Sequence, residues 1–146
     1  MGKVIFDNES HILEIFMKII NRTLLELESL RKEKRYDEII DVINSDKCLA
    51  VNPIGLTIKG RCLQLCSRGA SLKEIENCFI KAISLDPNYV DAMIELGWFY
   101  CNVKDSPDKA KYWFQEARRV VRQQVAEIKK GMASSRADVL HLAPGD

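Results

Sequence analysis

The chain has 146 residues, 47% of them hydrophobic and 29% charged, with a formal net charge of +1. That length and composition suit one domain with one core. The near-neutral charge supplies no global field for nucleic acid or a membrane surface. The balance is uneven, however: residues 1–103 carry 13 basic and 15 acidic side chains, whereas residues 104–146 carry 9 and 6.

No apolar run reaches the roughly 18 residues of a membrane span; ILEIFMKII, residues 12–20, is interrupted by Glu14 and Lys18. The start, MGKVIFDNES, lacks the apolar core of a secretory signal, and Phe6 stands where a myristoylation pattern needs Ser or Thr. A cytoplasmic location is expected. The five cysteines, Cys48, Cys62, Cys66, Cys78 and Cys101, are odd in number, form no Cys-x-x-Cys and mostly fall in helical apolar patterns. Reduced, buried thiols are expected. Cys62 and Cys66 share a helix face and could supply two metal ligands, but the only histidines, His11 and His141, stand near opposite ends. No metal site and no cofactor are expected.

Nearly every segment between breakers reads as helix. From Glu9 to about Lys32, the stripe Ile12, Ile15, Phe16, Ile19, Thr23, Leu27 and Leu30 follows spacings of three and four. Leu13, Ile20 and Leu24 widen that stripe, which predicts neighbours on two sides, and Asn8 or Ser10 is placed to cap the start. A charged bend at residues 31–35 leads into a second helix, Tyr36 to about Asn44, with Ile39, Ile40, Val42 and Ile43 to bury. Pro53 opens a third, and Gly69 is positioned to close it. Ser71 followed by Glu74 is a capping-box signature and starts a fourth. Asp86-Pro87-Asn88 ends that helix. A fifth spans about Tyr89 to Val103. The sixth runs from Pro107 to about Lys130, after the Asp105-Ser106-Pro107 turn. Residues 131–146 have little periodicity and read as a mobile tail, with Val139, Leu140 and Leu142 as a docking contact. No strand pattern occurs, so the fold class is all-α.

The helices come in pairs. Pro53 and Pro87 are 34 residues apart, and each opens a pair. A fixed period of that size marks a stacked helix-turn-helix array. Close packing within a pair needs a small residue where the backbones cross, and Gly97 and Ala110 stand at those places. Leu96, Tyr100 and Phe114 fill the space around the crossing. Ala117 leaves room for a following helix.

On these residues the chain resembles the tetratricopeptide repeat (TPR) family. The match in residues 90–123 runs through Leu96, Gly97, Tyr100, Ala110, Phe114 and Ala117, with one extra residue in the turn and Met93 where the family prefers Trp. Residues 53–87 are a weaker copy, carried by Leu56, Gly60, Leu63, Ile75, Phe79, Ala82 and Pro87. A degenerate third copy covers about residues 18–52, with Tyr36 and Ile39 as its best matches. The resemblance spans about 105 of the 146 residues. It implies one domain over residues 1–130, a right-handed superhelix of stacked antiparallel hairpins. Repeats are expected at about 18–52, 53–86 and 87–123, with the end of the last helix and the N-terminal helix as caps.

The resemblance also implies a function. TPR arrays generally bind peptides or partner proteins on a concave face lined by the first helix of each repeat. The corresponding positions are Asp91, Ile94, Trp98, Cys101 and Asn102 in the best repeat, and Thr57, Arg61, Gln64 and Leu65 in the weaker one. The candidate partner-binding set is Arg61, Gln64, Asp91, Ile94, Trp98 and Asn102. Trp98 is either an aromatic anchor in the groove or a residue packed under the N-terminal helix. Some TPR domains clamp a chaperone's C-terminal carboxylate with Lys, Asn and Arg. The places here hold Asp91, Ile94, Glu95 and Trp98, leaving only Arg61 with a suitable charge. Arg118, Arg119 and Arg122, with Lys129 and Lys130, make a second candidate face for an acidic partner. Nucleic acid is not expected, because aromatics do not interleave with these basic residues.

No nucleophile has a mid-chain histidine to activate it, and Gly55, Gly60 and Gly69 do not form a phosphate loop. An enzyme is not expected. Two roles follow: an adaptor that binds a peptide or helix around Trp98, and a stoichiometric inhibitor such as a toxin-neutralising immunity protein, suggested by a bare helical domain. Oligomeric state is not legible.

Overall fold

A computed structural model describes residues 3–141, with the side chains of 11–136 apart from those of 16, 19 and 20. Six α-helices follow in order: α1 (Lys3–Lys32), α2 (Tyr36–Ser45), α3 (Pro53–Leu63), α4 (Leu72–Leu85), α5 (Val90–Asn102) and α6 (Pro107–His141). One 3₁₀ turn, Leu49–Val51, precedes α3, and no strand occurs among the described residues. Successive helices pack as antiparallel hairpins, α1 with α2, α3 with α4, α5 with α6. α2 rests on α3, α4 on α5, and α3 lies beside α5.

Local chemistry sets most of the boundaries. Asn52 Oδ1 accepts the Ile54 N–H at 2.8 Å, and Pro53 follows at the first helical position, where its missing N–H costs nothing. Ser71 Oγ accepts the Glu74 N–H at 3.1 Å and starts α4. Asp86 leaves helical geometry and its Oδ1 takes the Asn88 N–H at 2.9 Å, so α4 stops before Pro87.

The end of α1 is unusual. Arg35 N–H donates to Leu30 C=O at 2.9 Å and Lys34 N–H to Arg31 C=O at 3.1 Å, the paired bonds of a Schellman cap. Lys34 holds the left-handed position with φ of 58°, where glycine is at home. A side chain there costs about 1–2 kcal/mol, against about 0.4–1 kcal/mol that glycine adds to the entropy of the unfolded chain. Lys34→Gly should therefore stabilise the protein by about 0.5–1 kcal/mol and raise Tm by roughly 1–4 °C. A lowered melting temperature would show that this cap does not form.

The core runs through all three hairpins, with Leu27, Ile39, Ile43, Leu63, Ile75, Phe79, Leu96, Phe99 and Tyr100 among its members. The two glycines expected at crossings are there. A Cβ on Gly60 would lie 2.6 Å from the Phe79 ring, and one on Gly97 would lie 2.7 Å from the Phe114 ring. Ala82 packs against Ala92 and Leu56, so the small residue of the second hairpin does seat the first helix of the third. Ala117 instead packs inward with Met93 and Val120. Tyr100 hydrogen-bonds Glu76 and ties α5 to α4; burial, with Glu76 adding to it, pushes the phenol up to about 12.

The loop between α3 and α4 is held back onto α2. Arg68 reaches both Asp41, at 2.6 and 2.8 Å, and the Asp37 carbonyl at 3.1 Å. Ser67 donates to Asp37 through its hydroxyl at 2.7 Å and its amide at 3.1 Å. The Ser67 bonds, and then the Arg68 charge, hold the Asp37 carboxyl below its usual range.

Several boundaries differ from the sequence expectation. α3 ends at Leu63, six residues before Gly69, which supplies a left-handed turn (φ 72°) in the connecting loop rather than a helix cap. α1 starts at Lys3, so Asn8 and Ser10 lie inside it. α6 does not end near Lys130; it continues through Gly131 to His141. The helix-forming run Met132 to Ala137 follows that glycine with no proline to stop it. The docking contact expected of Val139, Leu140 and Leu142 lies outside the described side chains.

Among its described side chains, the N-terminal helix does not pack on two sides: of these, only Leu27 and Leu30, in its last turns, are buried apolar residues, while Ile12, Leu13, Ile15, Met17 and Leu25 are exposed. α1 meets α2 and, among the described residues, does not close onto α3 as α3 closes onto α5.

Candidate functional site

The first helices of the second and third hairpins, α3 and α5, present one continuous surface. On α5, Asp91, Ile94, Trp98 and Asn102 are spaced three and four apart, and all are exposed. On α3, Arg61 and the C-capping Gln64 are exposed as well. All six residues expected to bind a partner thus lie open on this pair of neighbouring helices. Gln64 turns its amide back to the Gly60 carbonyl at 3.4 Å.

Arg61 is already engaged. Its Nε lies 2.8 Å from the Glu95 carboxylate, an ion pair that bridges α3 and α5 across the surface. The one cation suited to gripping a free carboxylate is therefore neutralised by an adjacent acid, and Asp91 adds a second negative charge close by.

Two residues assigned to the groove face elsewhere. Thr57 is buried; its hydroxyl donates to the Pro53 carbonyl at 2.7 Å. Burial pushes the Tyr89 phenol up. Cys101 lines a hollow of about 430 Å³ on the α6 side, with Phe114 and Arg118.

Trp98 is 52% exposed and meets Phe114 edge-on, with ring centroids 5.2 Å apart. It leans toward α6, at the opposite end of the stack from α1, so the reading in which it packs under the N-terminal helix is overturned. One indole face stays open beside a fixed partner ring.

A second feature was not expected from sequence. Because α1 stands away from α3, a cleft of about 420 Å³ opens between them, floored by Tyr36 and Ile39 of α2. Leu24, Leu27, Ile58 and Leu65 make its walls apolar, and Arg31 and Arg61 stand at its edge. Arg61 and Leu65 belong to both surfaces, so the cleft continues the α3–α5 face. Nothing local in the sequence marks it; it arises from how far α1 tilts from its neighbour.

The thiols divide by position. Burial pushes Cys62 up to about 11 and raises Cys78 as well, while Cys48 and Cys101 are exposed. On the second candidate face, Arg118, Arg119 and Arg122 are all exposed, but Arg119 pairs with Glu116 at 3.1 Å. Among the described residues no helix is long and apolar enough to cross a membrane.

A family model described as tetratricopeptide repeat matches residues 78–112, from the middle of α4 through α5 into α6. Over that segment the chain carries a tetratricopeptide repeat. The matched segment contains the Gly97 crossing and the Asp86-Pro87-Asn88 break, and the α3–α4 hairpin repeats that crossing with Gly60 against Phe79. TPR domains generally mediate protein–protein interactions. No curated protein matches the chain.

Proposed function

We propose that this protein is an interaction module that takes a peptide or helical segment of a partner on the α3–α5 face. The observation that carries this reading is the exposed Trp98, braced by Phe114 and set among Asp91, Ile94 and Asn102. A half-open aromatic with a rigid neighbour loses little side-chain freedom on binding, and such residues dominate interface energetics. The apolar cleft beside Arg61 extends the same surface and suits an apolar side chain of the ligand. The Arg61–Glu95 pair argues against recognition of a terminal carboxylate, since the cation would first have to leave its acid.

A partner recovered by crosslinking to the native chain gives the test. Trp98→Ala should weaken its binding by about 2 kcal/mol or more, roughly thirtyfold. Because Trp98 lies at the surface, the variant's melting temperature should change little. Unaltered affinity would remove the face from consideration.

A further inference from the structure

Beyond Val120, α6 leaves the hairpin stack, and residues 121–136 are all exposed. Its apolar residues there are not scattered. Val121, Val125, Ile128 and Met132 follow one another at four, three and four residues and are 43–62% exposed. That is the a/d spacing of a coiled-coil seam, about 16 Å long. One flank of the seam carries Arg122, Lys129 and Arg136, seven residues apart at successive e positions, and Arg118 holds the a position just before the apolar seam begins. None of these four forms an ion pair among the described residues, whereas neighbouring Arg119 does. The opposite flank holds Gln124 and Gly131, which are uncharged.

This pattern selects among occupants. A second copy is disfavoured, because an antiparallel pairing sets the basic flank against itself and a parallel one sets it against Gln124 and Gly131. A membrane surface calls for a broad apolar face with aromatic or leucine side chains. This stripe is narrow, limited to a and d positions, and has no aromatic residue. What fits is a helix with its own apolar seam and carboxylates along the facing flank.

We propose that the Val121–Met132 seam of α6 docks an acidic amphipathic helix of a partner protein, with the partner's Glu or Asp side chains lying against Arg122, Lys129 and Arg136. The seam is separate from the α3–α5 face, so this inference stands apart from the role proposed above.

The test uses the full chain and two synthetic heptad peptides with Ile at a and Leu at d, one with Glu and one with Lys at e and g. The acidic peptide should bind at least about tenfold more tightly than the basic one. Its advantage should shrink as ionic strength rises from about 0.05 to 0.5 M. The triple change Arg122→Glu, Lys129→Glu, Arg136→Glu should reverse the preference, and Val125→Asp with Ile128→Asp should abolish capture of both peptides. Arg61→Ala should alter neither. The exposed positions leave the stack intact, which unchanged thermal unfolding verifies. No binding, equal binding of the two peptides, or an unreversed preference overturns the proposal. So does dimerisation that Val125→Asp disrupts, or binding to phosphatidylserine vesicles in place of the acidic peptide.

Discussion

Phe79→Ala should lower the unfolding free energy by about 3–5 kcal/mol. The ring is fully buried where α3, α4 and α5 meet, 6.5 Å from the Phe99 ring and against the Gly60 backbone. Truncation there leaves a cavity bounded by three helices, which cannot all move in to fill it. A loss of that size is a fifth or more of the roughly 5–15 kcal/mol that holds a domain of this kind together. Urea titration should show a lower midpoint with an unchanged slope. The neighbouring glycine sharpens the experiment through a change of sign. Gly60→Ala improves helix propensity by about 1 kcal/mol, but its methyl would lie 2.6 Å from a ring that has nowhere to go. Overpacking of this type costs about 1–3 kcal/mol, so the single change should destabilise. In the Phe79→Ala background the same methyl has room, and Gly60→Ala should stabilise by about 1 kcal/mol. A stabilising Gly60→Ala in the otherwise native chain would show that the two helices do not cross here.

Gly55→Ala is the second large effect. Its Cβ would sit 2.0 Å from the Leu49 carbonyl oxygen. The obstacle is backbone, so no side-chain rotation relieves it, and the 3₁₀ turn at Leu49–Val51 must be displaced from α3. The cost should reach about 3 kcal/mol, the upper end of the overpacking range. Thermal unfolding is a sufficient readout. A variant within about 0.5 kcal/mol of the native chain, the range of an indifferent surface change, would mean that the turn does not rest on Gly55.

The contrast between Gly60 and Gly55 explains what the sequence revealed. Gly60 and Gly97, 37 residues apart, stand at matching places in front of Phe79 and Phe114, 35 apart, so their role was readable from an approximate repeat. Gly55 answers to a single irregular turn between hairpins, and no periodic signal announces that. Helix starts were legible because Asn52-Pro53 and Ser71 are local chemistry. The end of α3 was not, since Gly69 satisfies a loop six residues further on. The end of α6 was misplaced because Gly131 sits in an exposed helix, where it costs only about 1 kcal/mol and need not terminate anything. At the candidate site, Trp98, Asp91, Ile94 and Asn102 were named from the family resemblance, and all four are exposed on α5. The Arg61–Glu95 pair and the α1–α3 cleft depend on where separate helices lie relative to one another, which residue spacing does not encode.

The Arg68 guanidinium spans Asp37 and Asp41, one turn apart on α2, and so fastens the α3–α4 connection to the preceding hairpin. In linear arrays each unit leans only on its neighbours, and the strength of each junction decides how many units melt together. Here the junction between the first and second hairpins is reinforced by a polar clasp on top of its apolar contact. The two should behave as a single cooperative block, with α1's projecting turns outside it.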